Sequence, residues 1–205
     1  MKKVLLSTAL LAVTATAAQA QSPSFGIKAG ASLTTAVGNG TTGFDIKNKL
    51  GFHGGFIANL PINDVFSIQP EFLYSMKGYR INEADRFGAT LERKQTLNYI
   101  DVPVLARLHA GGLFFEAGPQ FGYLIAAKYS QDGNANNPAS SYSNRSGYNA
   151  LDFGYAAGLG YQLPEGLGVG LRYNGSFKNF IEYYNGQSSR NSAFQLYLSY
   201  MFGGK

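Results

Sequence analysis

Apolar and polar residues alternate along most of the chain after residue 24, and no segment keeps a helical period. Alternation of this kind is typical of β-strands whose two faces meet different surroundings. It predicts eight strands, which cover residues 25–34, 50–60, 66–79, 95–108, 113–128, 151–163, 167–177 and 191–202.

The connections between these strands alternate in length. Short polar turns cover 61–64, 110–112 and 164–166, and long polar connections cover 35–49, 80–94, 129–150 and 178–190. An even number of strands, with short turns at one end and long loops at the other, is typical of an outer membrane barrel. We therefore predict an all-β fold, an eight-stranded antiparallel up-and-down transmembrane β-barrel.

The size of such a barrel decides which face points inward. An eight-stranded barrel has an interior just wide enough to be filled by side chains. The Phe, Tyr, Leu and Ile residues of one face would overfill it, whereas the Gly, Ala, Ser and Gln residues of the other face fit. We therefore expect the apolar face to meet lipid, and the glycines at 154, 158, 160, 168 and 170 to lie on the lumen side.

Composition agrees with a secreted β-protein. Lys2 and Lys3, an apolar run and Ala18-Gln19-Ala20 predict a signal peptide over residues 1–20, which leaves a barrel domain over 21–205. Charged residues are only 14%, and the chain has 26 Gly, 14 Tyr, 15 Phe and no Cys. The formal net charge of +5 is scattered, so we predict no nucleic-acid partner.

Charged residues of both signs fall on the predicted lumen face. They are Lys28, Glu71, Lys77, Asp101, Arg107, Glu116, Lys128, Asp152 and Arg172. Opposite charges can offset the free energy of burial. We expect a paired plug, with Glu71, Arg107, Glu116 and Arg172 at its centre. The alternatives are a path or gate for ions or solutes, and a catalytic pair of carboxylates.

Aromatic residues fall near both ends of the predicted strands. On the turn side they are Phe25, Phe66, Phe115, Tyr161, Tyr200 and Phe202, and on the loop side Tyr74, Tyr99, Tyr123, Phe153, Tyr173 and Phe177. Such positions suit the two aromatic girdles of a membrane barrel.

The remaining chemistry predicts no catalytic, cofactor or metal site. His53 and His109 are the only histidines, and they lack metal-ligand spacing. There is no G-x-S-x-G elbow, no local Ser/His/Asp grouping and no phosphate loop.

Several segments together resemble the PorT-like outer membrane β-barrel family of Bacteroidetes, often labelled "porin family protein". They are FGIKAGASLT, LNYIDVPVLARL, FFEAGPQFGYLIAAK, LDFGYAAGLGYQL and QLYLSYMF. The resemblance implies an eight-stranded outer membrane barrel but no single activity. The named member is associated with secretion of other proteins through the type IX pathway. The ending departs from the usual barrel, because Gly203-Gly204-Lys205 follow Phe202.

The leading functional hypothesis is a structural or accessory envelope protein, with support of protein secretion as one form of that role. The alternatives are a narrow pore, an outer membrane lipid-modifying enzyme and a soluble ligand-binding barrel. The expected partners are outer membrane lipids, the barrel-assembly machinery, periplasmic chaperones and possible secretion components, without a cofactor. Both termini are expected in the periplasm and the long loops outside the cell.

Overall fold

The structure is a computed structural model that describes residues 22–41, 45–84, 90–133, 138–181 and 188–202. The predicted signal peptide and the tail Gly203-Gly204-Lys205 lie outside the described residues. The strands are β1 Ser24–Val37, β2 Ile46–Pro61, β3 Phe66–Ala84, β4 Thr90–Ala110, β5 Leu113–Gln131, β6 Ser140–Ser143, β7 Leu151–Gln162, β8 Leu167–Ser176 and β9 Arg190–Phe202. A short 3-10 helix spans Asn39–Thr41. Among the described residues, no helix is long and apolar enough to cross a membrane.

Eight of the strands close into an antiparallel ring. The hydrogen-bonded order is β4-β3-β2-β1-β9-β8-β7-β5, and a β4–β5 pairing completes the circle. The first and last strands therefore lie side by side, with Phe25 opposite Phe202 and Val37 opposite Arg190. The predicted eight-stranded ring is confirmed, and β6 is an additional short strand that pairs with the end of β5.

The two faces of each strand divide as the alternation predicts. In β1, Phe25 is 63% exposed on the outside, while Lys28 is 3% exposed on the inside. Outward Phe, Leu, Ile and Tyr side chains continue around the ring, and Ser, Gln, Asn and charged side chains are buried within it. The apolar exterior and polar interior are the arrangement that a membrane-spanning barrel requires.

Three strands extend well beyond the predicted barrel wall. β3 has 19 residues, β4 has 21 and β5 has 19, whereas about ten tilted residues cross the membrane. The predicted loop 80–94 is wrong in part, because Arg80 pairs with Lys94 and Ala84 with Thr90 in a continued ladder. The loop 129–150 likewise begins with strand residues and contains β6. The loop side therefore carries a projecting sheet on one side of the ring, formed by the ends of β2, β3, β4 and β5 together with β6.

Lumen glycines make room for aromatic rings inside the barrel. A methyl group built on Gly170 would overlap the Tyr197 ring, and one on Gly160 would overlap the Phe114 ring. Phe114 and Tyr197 are both buried. The glycines of β7 and β8 therefore leave the space in which these two rings lie.

We predict that Gly170→Ala destabilises the barrel by about 1–3 kcal/mol, because overpacking a filled interior forces backbone or side-chain shifts. Gly54→Ala is a matched control on the outward face, where the added methyl would meet Lys28 O at 3.2 Å and Ala29 Cβ at 3.6 Å. Reversible urea unfolding in micelles measures both. Equal losses for the two variants would contradict the packing explanation.

Candidate functional site

A forked ion pair lies at the centre of the lumen. The Arg172 guanidinium of β8 donates from Nη1 and Nη2 to Glu71 of β3, at 2.7 and 2.9 Å. It also donates from Nε to Glu116 Oε1 of β5 at 2.7 Å. All three side chains are fully buried. Arg172 thus joins two carboxylates that come from different parts of the ring.

Further side chains donate hydrogen bonds to these two carboxylates. Lys28 Nζ of β1 and Gln69 Nε2 each donate to Glu71 Oε1 at 2.7 Å. The Tyr197 hydroxyl of β9 donates to Glu116 Oε1 at 2.9 Å. The Lys28 ammonium also lies 3.8 Å from the centre of the Tyr197 ring, a cation–π contact.

Arg107 is held more loosely at the turn-side end of this cluster. Its Nη1 donates to Gln69 Oε1 at 2.6 Å, and its guanidinium carbon lies 3.6 Å from the centre of the Phe114 ring. Arg107 Nε lies 3.6 Å from Glu116 Oε2, and neither of these buried atoms has a hydrogen-bond partner. We call Lys28, Glu71, Arg107, Glu116 and Arg172 the central cluster.

A second cluster lies toward the loop side. Lys77 Nζ of β3 donates to Asp101 Oδ1 at 3.0 Å and to Asp152 Oδ2 at 3.5 Å. Ser176 Oγ donates to the other oxygen of Asp152. A cavity of about 10 Å³ beside Lys77 and Asp152 has room for about one water molecule. The two clusters together contain eight of the nine predicted lumen charges.

Lys128 is the exception, since it is exposed on the outward face of β5. The cause is a β-bulge: Asn98 pairs with Ala126 but Tyr99 pairs with Leu124, which leaves Ile125 as an extra residue. One extra residue reverses the faces of all residues beyond it. The prediction that Lys128 lies in the lumen is therefore wrong.

Tyr99 is a second correction, because it lies inside the barrel at 1% exposure rather than in an outer girdle. Its ring lies 4.5 Å from Lys77 Nζ, and its hydroxyl accepts from Asn191 Nδ2 at 3.3 Å. The other eleven predicted girdle aromatics are partly or largely exposed on the outward face, which fits that prediction without testing a girdle role. They are Phe25, Phe66, Tyr74, Phe115, Tyr123, Phe153, Tyr161, Tyr173, Phe177, Tyr200 and Phe202.

An apolar cap covers the loop-side end of the polar lumen. Its buried members are Ala36, Leu97, Tyr99, Leu124, Ala127 and Phe180, and Ile46, Tyr79, Tyr148 and Ile181 pack against them. Phe180 comes from the connection after β8, and the Phe180 and Tyr79 ring centres lie 5.9 Å apart.

Backbone contacts between two long loops hold the cap in place. Asn149 N donates to Phe180 O at 2.9 Å, and Tyr148 forms a β-bridge with Ile181. Burial raises the pKa of the Tyr148 hydroxyl, and the neighbouring Tyr142 adds to this rise. Sequence reasoning missed the cap, because Phe180 lies in a segment that alternation assigns to a loop.

The two histidines each contact a serine. Ser32 Oγ and His53 Nδ1 lie 2.9 Å apart, and Ser67 Oγ and His109 Nε2 lie 3.0 Å apart. His53 is buried, and its Nε2 has no hydrogen-bond partner, so no carboxylate orients that ring as it would in a catalytic triad. Within the described ranges, no group of three or more His, Cys, Asp or Glu could hold a metal ion.

The sequence matches the outer membrane protein beta-barrel domain family over residues 18–182, which is most of the chain. The protein belongs to this family. It is thus a small integral outer membrane barrel, consistent with its ring of eight strands and its apolar exterior. A search of the curated proteins found no match.

Solved structures of small outer membrane barrels resemble this family member. Neisserial surface protein A (NspA) is 16% identical, with a TM-score of 0.51, over 89% of this chain and 100% of that one. Ail, the attachment invasion locus protein of Yersinia pestis, is 15% identical with a TM-score of 0.48 over the same shares. OprG from Pseudomonas aeruginosa is 10% identical with a TM-score of 0.43, over 89% of this chain and 97% of that one. At these identities the likeness concerns the fold alone.

In this outer membrane barrel, we predict that Glu71→Gln lowers the free energy of unfolding by about 3–5 kcal/mol, since it leaves Arg172 and Lys28 buried without their shared carboxylate. Asp45→Asn is the control: its pair with Lys47, at 2.8 Å, is about half exposed, and such surface pairs contribute about 0–1 kcal/mol. Unfolding by denaturant in micelles measures both variants. A loss below 1 kcal/mol for Glu71→Gln would mean that the network relaxes around the missing charge.

Proposed function

We propose that this barrel is a closed, non-enzymatic protein with a structural or accessory role in the outer membrane. The observation that carries the proposal is the filling of the lumen by two paired charge clusters beneath an apolar cap. Eight-stranded barrels are narrow enough to be filled by side chains, and water-filled channels belong to barrels of about 16 strands.

The paired charges support a closed lumen energetically. Glu71 and Glu116 accept hydrogen bonds from lysine, arginine, glutamine and tyrosine side chains. Drawing an ion through this network would mean separating charges that have almost no contact with water, and uncompensated buried charges are strongly destabilising. The cap adds an apolar layer, which also opposes the passage of ions.

A narrow channel for small solutes is the second candidate. The observation in its favour is that polar side chains line the lumen from the turn-side mouth to Asp152. Conduction would require displacement of Phe180 and rearrangement of the pairs around Arg172. A lipid-modifying enzyme is less well supported, because Ser32 and His53 are buried inside the ring, away from lipid.

The finer assignments follow from the sequence. The resemblance to PorT-like proteins of Bacteroidetes favours an accessory role linked to protein secretion. Short turns on the periplasmic side and long loops outside the cell are the usual orientation of such barrels, and we propose this orientation here, with both termini in the periplasm. Outer membrane lipids, periplasmic chaperones, the assembly machinery and possible secretion components are the expected partners.

We predict that the refolded protein inserts into planar bilayers without discrete conductance steps. The closed lumen is the reason, and single-channel recording is the measurement. A Glu116→Gln, Arg172→Gln double variant is recorded beside it. Discrete steps in the parent protein that change in amplitude in the double variant would identify a narrow pore and overturn the closed-barrel proposal.

The proposed orientation in the membrane can be tested by labelling single introduced cysteines, because the sequence contains no other cysteine. Ser141→Cys in β6 and Glu165→Cys in a short turn each introduce a single thiol at an exposed position. A membrane-impermeant maleimide should label Ser141→Cys on intact cells, and Glu165→Cys only after the outer membrane is permeabilised. The reverse pattern would place the long loops in the periplasm.

A further inference from the structure

The turn-side mouth of the barrel contains a pocket, lined by both polar and apolar side chains, that the closed-lumen function does not use. Its volume is about 350 Å³, and its lining includes Ser24, Asn59, Arg107, His109 and Gln162. Small-molecule sites in proteins commonly have volumes of about 300–1,000 Å³ and a few convergent polar groups. The pocket is therefore large enough for a small ligand or for the end of a chain.

Arg107 provides the chemistry of this pocket. Arg107 as a residue is 2% exposed, and among the described residues its guanidinium makes one hydrogen bond, to Gln69, out of the five that an arginine can donate. Its Nε has no partner, because Glu116 Oε2 lies at 3.6 Å, too far for a hydrogen bond. Arg107 is therefore a buried cation whose charge is paired with Glu116 but whose hydrogen-bonding capacity is only partly used beside the pocket.

The net charge of the central cluster also favours an anionic ligand in the pocket. Its cations are Lys28, Arg107 and Arg172, and its carboxylates are Glu71 and Glu116, so the cluster carries one excess positive charge. Among the described residues that line the pocket, none is acidic. The second cluster, Lys77 with Asp101 and Asp152, carries one excess negative charge, but it lies toward the loop side. An anion beside Arg107 would balance the central cluster locally, and removing a charge from water is tolerated when an opposite charge is close.

The donor geometry favours a carboxylate. Guanidinium groups bind planar carboxylates through two parallel hydrogen bonds. Asn59 Oδ1 also lines the pocket as a buried acceptor without a partner, and it would suit a ligand that donates an N–H or O–H next to its acid group. A free amino acid and the C-terminus of a peptide both have this combination.

We infer that the turn-side mouth binds the carboxylate of a small molecule or peptide end through Arg107. In the proposed orientation this mouth opens to the periplasm, and only the origin of the ligand rests on that orientation. The binding itself is independent of whether the barrel conducts.

The test is a titration of the refolded protein in micelles, followed by amide proton–nitrogen correlation spectra. The probes are acetate, N-acetylglycine and glycylglycine, with sodium chloride as the ionic-strength baseline and inorganic phosphate as a competing anion chemistry. The carboxylates should produce saturable shifts at Gly111 and Gly112, two backbone positions that line the pocket. N-acetylglycine and glycylglycine should bind more tightly than acetate if Asn59 accepts from their N–H.

Two variants separate binding from folding. Arg107→Gln should weaken carboxylate binding at least about ten-fold, equivalent to about 1.4 kcal/mol, and Lys128→Gln, an exposed cation outside the lumen, should leave it unchanged. Ser24→Trp fills the mouth and leaves every residue of the central cluster in the sequence, so it should abolish the shifts even if Arg107→Gln does not fold.

Three results would overturn the inference. The first is the absence of saturable carboxylate shifts in the parent protein. The second is an unchanged affinity for the carboxylates in folded Arg107→Gln or in Ser24→Trp. The third is binding of phosphate that is as tight as that of every carboxylate. The last would indicate an unselective anion site. Because the experiment measures binding, an absence of carboxylate binding would not contradict the closed-barrel proposal. Conductance by the parent protein would likewise not contradict the carboxylate site.

Discussion

The fork of Arg172 between Glu71 and Glu116 is the interaction on which the interior depends. Each of these residues alone would be a buried charge of high free energy, and removing one partner from such a group is strongly destabilising. Together they connect β8 with β3 and β5, strands that are not neighbours in the ring. A barrel wall of backbone hydrogen bonds fixes the strands only to their neighbours, so this fork supplies contacts across the lumen that the wall lacks.

The two ends of the lumen are finished in different ways. On the loop side, the apolar cap, which includes Phe180 and Tyr148, covers the second cluster of Lys77, Asp101 and Asp152. On the turn side, Arg107 lines an open pocket at the mouth of the barrel. The molecule is therefore asymmetric along its axis, with an apolar cap at one end and a pocket lined by a buried arginine at the other.

Alternation predicts the ring, its eight strands and eight of the nine lumen charges, because period two is a direct reflection of two different environments. Alternation also predicts that Tyr99 lies in the lumen, since it shares its face with Asp101, but its aromatic character favoured the outer girdle. The outward position of Lys128 cannot be predicted from alternation, because a single extra residue at Ile125 reverses the faces and leaves no mark in the pattern. The burial of Phe180 cannot be predicted either, since it depends on contacts between loops that are distant in sequence.

Pairing of β1 with β9 has a consequence for the order of events during folding. The carboxylates of the central cluster accept hydrogen bonds from Lys28 of the first strand and from Tyr197 of the last. These two residues are neighbours in the ring but lie near opposite ends of the barrel sequence. Contacts of such sequence separation carry a large loop-closure entropy and form slowly. The carboxylates of Glu71 and Glu116 therefore obtain their full set of donors only when the seam between the two terminal strands closes. The buried ion pairs therefore favour the closed ring in its native register, because a closed ring in a shifted register would bury some of these charges without their partners.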